Sequence, residues 1–135
     1  MADSPDIIAV DHIGVRVRDA ARAREFYGKL GFQVTYEDAA SPVIILRNAA
    51  GVEVNLVVNA GPGTGPNVLM DVPEKHPGFT HVALRVSSIE DTVTALGALD
   101  IAITEGPVKL GPWNTSLFIR DPDGNVIELT EHRAA

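Results

Sequence analysis

The sequence contains no cysteine, which excludes disulfide bonds, thiolate metal sites and a cysteine nucleophile. Any metal ion that this protein binds must therefore be held by nitrogen and oxygen ligands. Long apolar runs are also missing, because none approaches the roughly 20 residues of a membrane-spanning helix. We therefore expect no membrane partner.

Basic residues are few, since 11 Lys and Arg stand against 18 Asp and Glu and give a formal charge of -7. Such a surface repels phosphate backbones, so the sequence predicts no nucleic-acid partner. The first six residues carry acids instead of the basic and apolar regions of a signal peptide, which favours a cytoplasmic protein. With 135 residues, 45% of them hydrophobic, the chain is expected to form a single domain over residues 1–135.

The sequence does contain an internal repeat. Residues 12–34 run in register with residues 81–103, without a gap. After an insertion around 106–111, residues 43–57 lie over residues 116–130. Two copies of one unit therefore account for most of the chain.

Each copy is predicted to fold as a strand, a helix and three further strands. The modules are expected at about 7–58 and 80–132, joined by a loop over 59–79 that is rich in glycine and proline. Alternation in HIGVRV and HVALRV puts the histidines and arginines on one strand face and most apolar residues on the other, which a helix must cover. The predicted fold class is therefore α+β, with two tandem βαβββ modules that form a concave sheet.

Capping and turn residues set the expected boundaries. Asp19 is the predicted N-cap of the first helix and Gly31 its C-cap, while Ser87 and Glu90 fit a capping box for the second helix. Apolar residues at helical spacing are predicted to face inward, namely Ala23, Phe26, Tyr27 and Leu30 in the first helix and Ile89, Val93, Leu96 and Leu99 in the second. Further strands are expected over 32–36, 43–47 and 52–58, with turns at 48–51 and 121–124.

Three motifs occur in this frame: Asp-His-Ile at the first strand, His-Val-Ala-Leu at the start of the second copy, and Asp-Pro-Asp-Gly-Asn-Val-Ile-Glu-Leu near the end. Together with the paired βαβββ pattern, they resemble the glyoxalase/bleomycin-resistance/extradiol-dioxygenase (vicinal oxygen chelate) superfamily over nearly the whole chain. The Gly-Pro-Val-Lys segment at 106–109 is most similar to lactoylglutathione lyases. The resemblance implies the glyoxalase/dioxygenase fold, but lyases, isomerases, epimerases, dioxygenases and thiol transferases share these motifs.

In that superfamily, metal ligands come from the first and last strands of each module. Carried onto this chain, the resemblance implies that His12, His81 and Glu128 bind one divalent metal ion in the concave sheet. The residue types agree, because two imidazoles and a carboxylate suit iron, manganese, nickel, cobalt or zinc with positions open for substrate. Each residue taken singly is more often an ordinary strand residue, but histidines at matching positions in both copies favour a metal.

The fourth ligand position departs from the superfamily pattern. The duplication places Asn55, and not an acid, opposite Glu128. Glu53 shares the strand face of Asn55 but lies two residues away, roughly 6.6 Å along the strand. Glu53 is a candidate catalytic base or alternate ligand besides Glu128, or else an acid paired with an arginine. Asn55 is a candidate carbonyl ligand, or a polar residue in the wall of the substrate site.

Further candidates for substrate binding are Arg16, Arg85 and Trp113. The two arginines share the strand face of the histidines, where they would bind an anionic substrate or pair with acids at the sheet edge. Trp113 would line an apolar pocket or pack in the core. His132, near the C-terminus, is assigned no role.

The leading hypothesis is a metal-dependent enzyme, similar to a lyase or isomerase, whose small-molecule substrate chelates the ion through adjacent oxygens. A ring-cleaving dioxygenase is the alternative with the same ligand set. A non-catalytic drug-binding protein of the bleomycin-resistance type is the alternative from another class. The resemblance and the sheet edges left by two modules also predict a homodimer.

Overall fold

The computed structural model describes residues 4–63 and 65–133; residues 1–3, 64, 134 and 135 lie outside this part. The first module consists of β1 (Ile13–Arg16), α1 (Ala20–Lys29), β2 (Gln33–Glu37), β3 (Val43–Arg47) and β4 (Glu53–Val57). The second consists of β5 (His81–Arg85), α2 (Ile89–Ala98), β6 (Glu105–Leu110), β7 (Asn114–Arg120) and β8 (Val126–His132). Neither helix in this part of the chain is long and apolar enough to cross a membrane.

The strands form two four-stranded sheets, in the orders β1-β4-β3-β2 and β5-β8-β7-β6. In each sheet the first strand pairs in parallel with the last strand of its module. Gly14 is the partner of Asn55 in the first parallel pair, and Ala83 is the partner of Glu128 in the second. The matching registers confirm the repeat and the α+β fold of two tandem βαβββ modules. They also leave β1 and β5 at sheet edges.

Alternation along the strands gives each sheet a covered face and an open face. In β4, Val54 and Leu56 are buried, whereas Glu53 and Asn55 alternate with them on the open face. One cluster of buried apolar residues combines the covered faces of both modules with the inward sides of α1 and α2. Each fully buried aliphatic side chain in it stabilises the fold by roughly 1.5–3 kcal/mol. The open faces carry the polar side chains that could contact a ligand.

Helix α1 begins as predicted, because the Asp19 side chain accepts a hydrogen bond from the Arg22 backbone N–H at 3.0 Å. The C-cap prediction is off by one residue. Leu30 is the C-cap, and Gly31 follows it at φ 96°, in the left-handed conformation that ends many helices.

The capping box predicted at Ser87 is wrong, because Ser88 is the N-cap of α2. Its hydroxyl accepts a hydrogen bond from the Asp91 backbone N–H at 3.1 Å. An N-cap side chain binds the N–H two or three residues ahead, and Ser87 is four residues before Asp91.

Val93, predicted to face inward, is 36% exposed. At 3.6 residues per turn, Val93 lies about 50° around the helix axis from the midpoint between Ile89 and Leu96, the buried residues of α2.

Strands β2 and β4 each differ from their predicted ranges, 32–36 and 52–58, by one residue at both ends. Both predicted turns close with backbone hydrogen bonds, from Gly51 N–H to the Asn48 carbonyl at 3.1 Å and from Gly124 N–H to the Asp121 carbonyl at 2.9 Å. The insertion at 106–111 forms most of β6, whose register with β7 is irregular.

The turn before β8 also fastens the second module onto the first. Asp121, which is buried, accepts a hydrogen bond from the Tyr27 hydroxyl at 2.9 Å, and Asp123 pairs with Arg18 and Arg22. Burial of Tyr27, followed by the charge and hydrogen bond of Asp121, raises the pKa of this phenol far above its usual range. We call the Tyr27–Asp121 hydrogen bond the interlock.

Candidate functional site

His81 and Glu128 form the best-defined polar pair on the open face of the second sheet. His81 opens β5, and its Nε2 lies 3.1 Å from Oε1 of Glu128 in the adjacent strand β8. Glu128 is only 9% exposed, and its Oε2 accepts a hydrogen bond from the Ser116 hydroxyl at 2.8 Å. A buried carboxylate requires such partners, because its desolvation is otherwise costly. Glu128 is therefore fixed with one oxygen directed at His81.

Ser116 is itself fixed by Thr130. The two hydroxyl oxygens are 2.8 Å apart, and both residues are buried at paired positions of β7 and β8. Ser116 has one hydroxyl proton, which it donates to Glu128. Thr130 is therefore the donor in the hydrogen bond between the two hydroxyl groups. The sequence does not single out either residue, although each is a polar interruption in an otherwise apolar strand face.

His12 immediately precedes β1, and the β1–β4 register places it beside Glu53. His12 Nδ1 lies 2.7 Å from Oδ2 of Asp11 and 3.9 Å from Oε2 of Glu53. Candidate ligand atoms of these three residues all lie within 4.8 Å of one another. Arg47 donates to Glu53 Oε1 through Nε and Nη2, at 2.9 and 2.7 Å. Glu53 is thus paired with an arginine, and its other oxygen faces His12.

The two histidines are oriented in the same way. Thr80 Oγ1 lies 2.8 Å from His81 Nδ1, just as Asp11 contacts Nδ1 of His12. Asp11 and Thr80 are equivalent in the repeat, each directly before its histidine. A partner on Nδ1 fixes the ring and leaves Nε2 for another ligand, as is usual for metal-bound histidines. The sequence shows the positions of these partners but not their contacts.

Asn55 occupies the position in β4 that is equivalent to Glu128 in β8, as the duplication predicts. Its Oδ1 is buried and has no hydrogen-bond partner among the described residues. Leaving such an acceptor unsatisfied costs about 1–3 kcal/mol. This oxygen is therefore available to an ion, a water molecule or a substrate group.

Within one chain, the predicted ligands fall into two half-sites: His81 lies with Glu128, whereas His12 lies with Glu53 and with Asp11, which was not predicted as a ligand. Among the described residues, ligand atoms of His12, His81 and Glu128 do not all lie within 4.8 Å of one another. Both histidines nevertheless line the same cavity, which measures about 920 Å³. The donor types fit a divalent ion, and the half-sites must approach each other to share it.

The arginines predicted to bind substrate each contact a side chain that carries no negative charge. Arg16 Nε donates to Asn59 Oδ1 at 3.1 Å, and Arg85 Nη2 contacts the His132 imidazole. Within residues 4–63 and 65–133, neither arginine pairs with a carboxylate, which was the other possibility that the sequence left open.

Trp113 lies in the turn between β6 and β7 and is half-exposed. The ring of Phe118 lies next to the candidate site, with its centroid 6.0 Å from the His81 ring in an edge-to-face arrangement. Phe118 follows from β7 alternation, since it lies two residues after Ser116 on the same face.

Known proteins resemble this chain in both sequence and fold. The chain is 30% identical to the glyoxalase domain-containing protein RDO1 of Mycosarcoma maydis, covering 94% of this chain and 70% of that protein. A probable lactoylglutathione lyase of Vibrio cholerae is 37% identical over 65 residues, which is 46% of each protein. A glyoxalase/dioxygenase structure from Nostoc punctiforme superimposes with a TM-score of 0.74 at 23% identity, covering 99% of this chain and 98% of that one.

The sequence profile of one superfamily matches residues 9–129, nearly the whole chain. This match agrees with the two βαβββ modules and with the repeated histidines at the open sheet faces. The chain belongs to the Glyoxalase/Bleomycin resistance protein/Dioxygenase superfamily.

Proposed function

We propose that this protein is a metal-dependent enzyme, similar to a lyase or isomerase, acting on a small molecule that presents two adjacent oxygens. The observation that carries the proposal is the 3.1 Å separation of His81 Nε2 and Glu128 Oε1. Two ligands at about 2.1 Å from one ion, at right angles to each other, are separated by roughly 3 Å. This pair therefore needs little rearrangement to hold an ion.

His12 supplies the third strong ligand through its Nε2, since Asp11 occupies the other ring nitrogen. Asn55 Oδ1 is the candidate for a weak fourth contact. These nitrogen and oxygen donors suit iron, manganese, nickel, cobalt or zinc. When bound, such an ion acts as a Lewis acid that stabilises negative charge on substrate oxygens.

The residues around the ligands have distinct tasks in this proposal. Ser116 holds Glu128 Oε2 and so presents Oε1 to the site. Glu53 Oε2 is the nearby carboxylate oxygen that can accept a proton, because Arg47 binds only Oε1. Phe118 packs against His81 and shields that side of the site from water.

A ring-cleaving dioxygenase is the second candidate function. Asn55 in place of a fourth acid favours it, because two histidines and one carboxylate are also the ligand set of oxygen-activating iron(II) sites. Aerobic assay of catechols after anaerobic iron loading separates the two enzymes, since the lyase or isomerase consumes no oxygen. A drug-binding protein of the bleomycin-resistance type would not need the three ligands, so their presence favours an enzyme.

The metal is tested by elemental analysis of freshly purified protein. We expect about one divalent ion per chain, loss of that ion in His81→Ala, and no change in the control His76→Ala, which alters an exposed loop histidine. Full occupancy in a His12→Ala, His81→Ala double variant would contradict the proposal. A thermal-shift screen of dicarbonyls, thiol adducts and catechols then identifies the substrate type.

A further inference from the structure

Six of the eight arginines are ion-paired with carboxylates: Arg18 and Arg22 with Asp123, Arg24 with Glu37, Arg47 with Glu53, Arg120 with Asp71, and Arg133 with Glu131. The exceptions, among residues 4–63 and 65–133, are Arg16 and Arg85. These two occupy equivalent positions in the repeat, at the ends of β1 and β5. A shortage of acids does not explain this, because acidic residues outnumber basic ones by 18 to 11.

Both exceptions instead contact groups that carry no negative charge. Arg16 donates to the amide oxygen of Asn59, and Arg85 contacts Nδ1 of His132, a nitrogen that accepts a hydrogen bond only when it carries no proton. A partner without negative charge orients a guanidinium without cancelling its charge. Arg85 therefore retains its full positive charge and most of its five N–H donors for another partner.

Arg85 lies where a substrate of the candidate metal site would extend. It lines the cavity of about 920 Å³ that also includes His12 and His81. It follows His81 by four residues on the same strand face, roughly 13 Å along the strand. Between them on that face lies Ala83, whose small side chain leaves room for a ligand.

We propose that Arg85 binds a carboxylate or phosphate group of the substrate, so that the substrate is an anion with its chelating oxygens at the opposite end. This inference rests on the proposed function for the chelating end only. His132 is a positioning residue, which holds the guanidinium toward the cavity. A planar guanidinium binds such oxyanions with two parallel hydrogen bonds, which an ammonium cannot do.

The test compares two probes that differ only at the distal end, 2-oxoadipate and 2-oxohexanoate, by calorimetric titration of the metal-loaded protein. We expect 2-oxoadipate to bind about tenfold more tightly or better, and Arg85→Gln to remove this preference without changing 2-oxohexanoate binding. Arg24→Gln, which removes an ion-paired surface arginine, is the matched control and should keep the preference. 2-Oxo-5-phosphonopentanoate, in which a phosphonate replaces the distal carboxylate of 2-oxoadipate at the same chain length, shows which of the two groups is preferred.

His132→Ala should reduce the same preference in the native background and have no further effect in Arg85→Gln, as expected for a residue that acts through Arg85. Equal binding of 2-oxoadipate by native protein and Arg85→Gln, with metal content unchanged, would overturn the anion site and leave the metal proposal standing. If the native protein binds no metal, the proposed function fails instead. The anion site is then decided in metal-free protein by the same variants, with adipate and hexanoate as probes.

Discussion

At the scale of single residues, we expect Asn55 to limit how closely this protein matches a lactoylglutathione lyase. That reaction moves a proton between adjacent carbons, and in the resembling enzymes acids occupy both last-strand positions around the metal. Here one position holds an amide, which does not titrate near neutral pH. Loss of a positioned base typically costs roughly a hundredfold to ten-thousandfold in rate.

We therefore expect weak or no conversion of the methylglyoxal–glutathione adduct by the metal-loaded protein. Asn55→Glu should increase metal affinity or this activity, whereas Asn55→Gln, which has the same length without the charge, should not. Metal titration and a steady-state assay measure both effects. Efficient native turnover that is insensitive to Glu53→Gln would show that the two last-strand positions are not equivalent in function.

The interlock gives a second prediction at this scale. Tyr27→Phe removes a buried hydrogen bond to the carboxylate of Asp121 and should lower the free energy of unfolding by about 1.5–3 kcal/mol. Tyr36→Phe is the control, because Tyr36 is exposed. Urea denaturation measures both variants, and equal stability of Tyr27→Phe and native protein would show that the interlock does not stabilise the fold.

The interlock should also make stability depend on pH. In the folded protein the pKa of Tyr27 is raised, while in the unfolded chain the phenol ionises near its ordinary pKa of 10.0. Its contribution is therefore complete below that pH and is lost as the pH rises above it. We expect native protein to lose stability above pH 10 more steeply than Tyr27→Phe.

Among the site residues, those with a partner in the repeat could be predicted from the sequence. His12, His81 and the equivalence of Asn55 with Glu128 follow from alignment of the two copies. The contact of Glu53 with Arg47 and the orienting roles of Asp11 and Thr80 could not be predicted, because they depend on side-chain conformations. A repeat fixes which positions correspond, but not which atoms meet.

At the scale of elements, both helices end in the same way. Gly31 after α1 and Asp100 after α2 are equivalent in the repeat, and both have positive φ, at 96° and 57°. Gly31→Ala should destabilise the protein by roughly 1–2 kcal/mol, because a Cβ is disfavoured in this conformation. Gly28→Ala, inside α1 with free space around the new methyl group, should instead be neutral or stabilising.

Asp100→Gly tests the same feature in the second module and should stabilise it slightly, measured by urea denaturation with the other two variants. A stable Gly31→Ala would show that the left-handed residue is not what ends α1.

The types of the elements could be predicted from the sequence, because the apolar periodicity of each helix and strand occurs in both copies of the repeat. The error at Ser87 arose because two adjacent serines precede α2, and only the backbone geometry decides between them.

At the scale of the whole molecule, the apolar residues just before the edge strands β1 and β5 favour an interface. Ile7, Ile8 and Val10 precede β1 and are 83%, 88% and 82% exposed, and Phe79 precedes β5 and is 97% exposed. Such residues beside open sheet edges favour burial against a second copy. We expect a homodimer by sedimentation, weakened by Phe79→Glu and unaffected by Val93→Glu on the surface of α2. A monomer at all concentrations up to about millimolar would reject this prediction.

Metal analysis of mixed dimers can show whether the two half-sites combine within one chain or between two chains. His12→Ala and His81→Ala each remove one half-site, so mixing the two variants restores an intact set of ligands only if two chains share each ion. Recovery of about half the native metal content in the mixed dimer would place the site between chains. No recovery, with dimers formed, would place both half-sites in one chain.

The interlock also shows a position at which the two copies of the repeat are no longer interchangeable. In the alignment of the two copies, Tyr27 corresponds to Leu96 and Asp121 to Asn48, so each half holds one member of the bond and lacks the other. A chain made from two copies of the second half would lack the phenol, and one made from two copies of the first half would offer the phenol an amide in place of the carboxylate. The interlock is therefore a contact in which the two halves of the repeat complement each other instead of matching.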